Sequence, residues 1–238
     1  MQKFLLIYNI IRMKRSFSIL VMGALVMFNV LAANAQKSKT FAGTVKYSFK
    51  YEGDTDPKKH IPMDIMLTIF GNKMKIYQSP MVLQILDGDA GTITVLVDIP
   101  GNKIGTIVPK EQNEEKFEAY KYTYVKGEET KTICGYVCTR YDATVYDIEE
   151  EEETKIIFYT TTEIGENDNI NRFEYPGLTG FPLYAEFEEH GVKTIQAAVE
   201  VKPTKVKAVD FLIPSAYNIM SPEEFGSYIK ALQEGSAK

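Results

Sequence analysis

Apolar and polar residues alternate with period two along most of the chain beyond residue 40. In Phe41 to Tyr51 one face carries Phe41, Val45, Tyr47, Phe49 and Tyr51, and the other carries Thr44, Lys46, Ser48 and Lys50. That alternation predicts a strand with one buried and one wet face. Met63 to Phe70 and Lys73 to Tyr77 flank Gly71-Asn72. A two-residue link of that kind predicts a hairpin, because Gly accepts the positive φ that a tight turn needs. Thr92 to Asp98 and Lys103 to Val108 flank Pro100-Gly101-Asn102 and predict a second hairpin. Further strands are expected at Tyr120 to Val125, Lys131 to Tyr146 and Thr154 to Thr162, and a hairpin of Leu183 to Glu188 and Val192 to Val201 around His190-Gly191.

The polar stretch Glu52 to Pro62 and the turn-rich stretch Gly165 to Pro182 read as loops. The acid run Glu149 to Glu153 reads as a solvated hairpin tip whose like charges stay wet. Period changes near the end of the chain. Ser221 can cap a helix with Pro222 at its first position and Glu224 three residues after the cap. Phe225, Tyr228, Ile229 and Leu232 then share one helical face.

Short links between successive strands favour antiparallel pairing. The fold class expected is therefore mainly β: a single curved antiparallel sheet or half-open barrel of about ten strands with a C-terminal helix packed on it. No internal repeat or Gly/Ser linker divides the chain, so residues 36–238 are expected to form one domain.

The first 35 residues differ from the rest. Lys14 and Arg15 precede an apolar run from Ile19 to Phe28, and Ala33-Asn34-Ala35 supplies a small-residue cleavage site. This reads as a secretory signal peptide over 1–35, with Met13 the better start codon. The run is too short for a spanning helix, which needs about 20 residues. No Cys stands at the cleavage site, so the expected product is periplasmic, soluble and not lipid-anchored. Four of the 27 basic residues and none of the 32 acidic ones lie in 1–35, leaving a net charge of −9 from Gln36 onward. An acidic chain without a basic stripe is a poor partner for phosphate backbones, so no nucleic-acid partner is expected.

Catalytic patterns are scarce. The two His, His60 and His190, fall in expected turns outside any metal-spaced cluster. No Ser elbow, phosphate loop or dinucleotide fingerprint occurs. No catalytic residue, metal or cofactor is assigned. Cys134 and Cys138 are the only cysteines. In a regular strand they would lie about 13 Å apart, whereas a disulfide needs Cα atoms within about 7 Å. A bridge requires a break at Gly135 (an exported chain favours one, the spacing opposes it), so pairing is left open. Met63, Met66, Met74 and Met81 crowd one hairpin region. Flexible, polarizable Met suits either ordinary core filling or a pliable wall for an acyl chain.

The opening strand Phe41-Ala-Gly43-Thr-Val45-Lys-Tyr47 and the element Ile133, Gly135, Tyr136, Cys138 and Tyr141 resemble those of uncharacterised exported bacterial domains. Gly177-Leu178 and the run Phe211 to Pro214 stand where such proteins place a loop and a closing segment. Their layout is similar to the lipoprotein carrier (LolA/LolB-like) superfamily. The resemblance implies a half-open barrel that holds acyl chains under a helical lid. The carriers' receptor arginine has no counterpart here and Cys134 is a departure, so no functional residue is carried over.

Two functions follow as expectations. One is a periplasmic binding or carrier protein holding a lipid, acyl chain or other hydrophobic ligand in the concave face, with Tyr47, Phe49, Met63, Met66, Met74, Met81 and Phe181 as the apolar wall. Transient contact with envelope proteins or membrane would accompany it. The other is a cell-envelope interaction module with no small ligand.

Overall fold

The computed structural model describes residues 41–53, 64–109, 111–112, 117–164, 175–189 and 191–235. Residues 1–35, read above as a signal peptide, and Met63, His60 and His190 lie outside them. Strands β1 (Ala42–Gly53), β2 (Ile65–Phe70), β3 (Lys73–Ser79), β4 (Val82–Asp87), β5 (Thr92–Ile99) and β6 (Asn102–Val108) form one up-and-down meander. Strands β7 (Tyr120–Ile133), β8 (Tyr136–Asp147), β9 (Glu152–Thr161), β10 (Phe181–Glu189) and β11 (Val192–Pro203) form another. The meanders join through β1 and β11, from Gly43 opposite Pro203 to Gly53 opposite Val192. A short strand β12 (Asn218–Met220) then pairs parallel with β6. The result is one curved, unclosed sheet of 12 strands with β12 and β7 at its edges.

The predicted turns form for the reasons given. Gly71 has φ 58° in the β2–β3 link, and Gly101 has φ 83° between β5 and β6. The acid run lies at the β8–β9 tip, with exposed Glu149 to Glu151 in the turn itself. Two expectations are corrected. Lys131 to Tyr146 is not one strand: it breaks at Cys134-Gly135, whose φ values of 50° and 88° make the two-residue turn that joins β7 to β8. The strand count also rises, because Val82–Asp87 forms β4 and Asn218–Met220 forms β12.

Register shifts in four strand pairs coil the sheet, one of them at Gln78, which is extra between Tyr77 and Ser79 in the β3–β4 pair. Val199 is extra opposite Lys46/Tyr47, Leu183 is extra opposite Tyr159/Thr160, and Gly127 to Glu129 face Arg140 alone. Bulges bend a strand and raise its local twist. The coil lets one buried cluster draw Val45, Leu67, Ile69, Met74 and Leu86 from the first meander, and Cys138, Tyr159, Leu183 and Ala198 from the second.

The C-terminal chain covers the opposite face of the first meander. Thr204 N–H donates to the Ala42 carbonyl at 3.0 Å. The 3₁₀ turn Ala208–Phe211 then sets buried Phe211 against Phe70, ring centroids 6.5 Å apart, beside Ile85 and Leu96. Helix α1 (Pro222–Gly235) follows. Its cap is reciprocal: Glu224 N–H donates to Ser221 Oγ at 3.2 Å, and Ser221 N–H donates to the Glu224 carboxylate at 3.0 Å. The helix lies against β6, where Asn102 Nδ2 donates to Tyr228 Oη at 2.5 Å.

Candidate functional site

The expected apolar wall divides on inspection. Tyr47, Met74 and Phe181 are buried in the cluster shared by both meanders, and Phe49 packs against it. Tyr47 Oη donates to the Pro182 carbonyl at 2.6 Å, so its side chain reaches from β1 past β11 to β10. Ala198, opposite Tyr47 on β11, leaves room for that crossing. Met66 and Met74 occupy opposite faces, because Met66 opposes Tyr77 while Met74 opposes Ile69. Met66 is 43% exposed, and Met81 is half-buried in the turn before β4. The described methionines therefore do not form a single wall.

Beyond its bulge, β7 reaches across the sheet. Lys131 Nζ lies 4.2 Å from the Tyr159 ring centroid on β9 and 5.2 Å from that of Tyr184 on β10. The two rings meet edge to face at 5.6 Å. Tyr159 Oη donates to Glu129 Oε1 at 2.6 Å, and Arg140 Nη1 donates to Glu129 Oε2 at 3.0 Å. Arg140 also donates to Asp142 through Nε and Nη2. The Tyr159 phenol and then Arg140 hold the Glu129 carboxyl below the usual carboxylate range. Burial opposes the charge on Glu186, but Lys193 and the Tyr184 phenol outweigh it and keep that carboxyl low. Each carboxylate here has a donor and each cation a carboxylate or ring, so the network suits holding strands together better than proton transfer.

A second cluster lies where β7 is the sheet's edge. Tyr120, Tyr122 and Tyr124 alternate along β7 on the face of Val145 and Ala143. They pack against buried Tyr141, Phe158, Tyr175, Leu178 and Phe187. Tyr175-Pro176-Gly177-Leu178 closes as a turn, with Leu178 N–H donating to the Tyr175 carbonyl at 3.1 Å and Gly177 at φ 85°. Tyr175 meets Phe158 edge to face at 4.5 Å. A Cβ built on Gly177 would lie 3.6 Å from the Tyr124 ring, so the turn covers that ring. Burial, then the neighbouring phenol, pushes the Tyr122 and Tyr124 hydroxyls well above the ordinary tyrosine range. The Tyr124 oxygen is shielded from solvent and has no hydrogen-bond partner among the described residues. The candidate wall omitted this row, although Tyr-x-Tyr-x-Tyr at period two marks it in the sequence.

Cys134 and Cys138 are both free thiols. Cys134 is exposed at the hairpin tip, and its Sγ lies 3.3 Å from the Ala198 carbonyl on β11. Cys138 opposes Lys131 and is 0% exposed. Burial pushes its thiol up to about 11. A maleimide at roughly neutral pH is therefore expected to add one label, at Cys134, with Cys138 reacting only on unfolding, because the thiolate is the nucleophile. Mass spectrometry of the labelled protein checks this; two labels at similar rates, or none, would contradict the geometry.

No family model matches the chain, and no curated protein matches it. One similar solved structure is the hypothetical lipoprotein YmcC from Escherichia coli (K12), at 10% identity over 71% of this chain and 92% of that chain, with a TM-score of 0.34. At that TM-score the likeness carries no argument, and the architecture stands on this chain's own strand pairing. Among the described residues, no helix is long and apolar enough to cross a membrane.

Proposed function

We propose that this chain is an exported carrier that holds a lipid, acyl chain or other hydrophobic ligand against the apolar interior of its coiled sheet. The observation that carries this reading is the open seam. The sheet draws buried apolar side chains from both meanders into one cluster, yet β7 and β12 do not pair. A closed barrel has no edge, whereas an unclosed one leaves a lateral way to its interior. The export part of the reading rests on the basic, apolar and A-x-A pattern of residues 1–35.

The test is native mass spectrometry of protein purified from its own envelope, followed by titration of the delipidated chain with a fluorescent long-chain acyl probe. A copurifying acyl species and saturable binding of the probe are expected. A clean unliganded mass together with no saturable binding would end the carrier reading and favour an envelope interaction module.

A further inference from the structure

The β7–β8 hairpin runs on past the strand beside it. Strand β8 pairs with β9 from Asp147 back to Thr139, which stands opposite Thr160. Beyond that pair, Lys131 to Ile133 and Tyr136 to Cys138 are paired only with each other among the described residues. This arm turns back across the inner face of the sheet. Cys134 at its tip rests 3.3 Å from the Ala198 carbonyl of β11, three strands away from β8. That is a lateral reach of about 14 Å at the usual strand spacing.

The bend has a local cause. Gly127, Glu128 and Glu129 face Arg140 alone, and extra residues on one strand bend the pair. Gly127 gives the backbone at the bend freedom to change its angle. The two sides of the arm differ. On the inner side Ile133 and Tyr136 pack against the interior cluster, and Cys138 lies within it beside Tyr159, Phe181 and Leu183 in the same group. On the outer side Val137 is exposed. The ties that hold the arm down are polar: Glu129 accepts from Tyr159 and Arg140, and Lys131 lies over the Tyr159 and Tyr184 rings. Glu129, Arg140 and Lys131 all reach solvent. Charged contacts at such exposure are weak, because water replaces them readily. Lifting the arm also leaves the Thr139–Thr160 pairing whole.

We propose that this arm is a flap, shut in the free protein, that swings about the Gly127–Glu129 bulge to admit an acyl chain into the space its own Ile133 and Tyr136 now fill. The flap rests on the carrier reading and adds how the interior is opened. It lies on the same face as the cluster drawn from both meanders, so the chain it displaces and the ligand it admits compete for one place.

A cross-link tests it. Glu200 is exposed on β11, two residues from Ala198, and its charge acts on Cys134. In Glu200→Cys a short bismaleimide is expected to join position 200 to Cys134 and hold the flap shut. The control is the same variant with a separate maleimide on each thiol. Association of a fluorescent long-chain fatty acid, followed by stopped flow, is expected to be at least about tenfold slower in the linked protein, because the binding-competent state is withheld. Lys131→Ala, which removes an exposed side chain and one tie, is expected to speed association about threefold. Linked and control proteins that associate within about twofold of each other would overturn the flap while leaving the carrier reading intact. Failure of Cys134 to link to position 200 would overturn it too, since the tip would not rest on β11. Failure of the unmodified protein to bind the fatty acid would overturn both.

Discussion

Phe158→Ala is expected to lower the free energy of unfolding by about 3–5 kcal/mol, the range for emptying a fully buried aromatic site. Phe158 is 0% exposed at the centre of the second cluster. On β9 it opposes Tyr141 on one side and Ala185 on the other, so no strand neighbour can move in without breaking register. Tyr175 would lose the ring that fixes its turn. For a chain of this size the loss corresponds to a melting temperature roughly 6–20 °C lower. Thermal denaturation followed by circular dichroism measures it. A loss below about 1 kcal/mol would mean that the cluster is not packed as described.

The second large effect lies at the other end of the sheet. Gly105 sits on β6 opposite Ile219 of β12, the parallel pair at the edge. A Cβ at this position would stand 2.5 Å from Leu96 Cδ2, 2.9 Å from the Val95 carbonyl oxygen and 3.0 Å from Ile219 Cδ1. Leu96 is 0% exposed and the carbonyl is committed to the sheet, so Ile219 is the neighbour that yields. Gly105→Val is therefore expected to detach β12 and loosen α1, at about 1–3 kcal/mol for the overpacking. Hydrogen exchange should show lost protection from residue 218 to 232 and unchanged protection in β8 to β11. Uniform protection across both regions would refute the account.

How much of this was legible in the sequence depends on where each residue's neighbours come from. The β1 alternation, the Gly71-Asn72 hairpin and the Ser221–Glu224 cap are local, and each formed as read. Strand β4 was missed because Val82–Asp87 does not alternate: Ile85 and Leu86 are adjacent and both buried, one in each of two clusters. A strand covered on both faces loses its period-two signature. The outer half of β7, Glu128 to Thr132, is polar and exposed, so its strand character comes from pairing with β8 rather than from burial. The break at Cys134 was weakly signalled, since a cysteine at positive φ is uncommon.

The candidate site was legible only in part. Tyr47, Phe49, Met74 and Phe181 share the interior because their strands alternate cleanly. Met66 was grouped with Met74 by nearness in sequence, whereas strand parity puts them back to back. The coil itself depends on extra residues at Val199, Leu183 and Gly127 to Glu129. Of these only Gly127 carries a compositional mark; Val199 and Leu183 carry none, since a bulge is defined by two strands together.

The pairing of Gly43 with Pro203 has a consequence for biogenesis. The first strand to emerge during synthesis finds one of its two partners only when nearly the last sheet residue has been made. Each meander can zip up from hairpins of low contact order, but welding them demands closure of a very long loop, the slowest kind of event in β-sheet assembly. Until then β1 and β11 both present unsatisfied edges, which invite exchange of half-molecules between nascent copies. The vulnerable interval in this protein's life is therefore the one before its two halves meet.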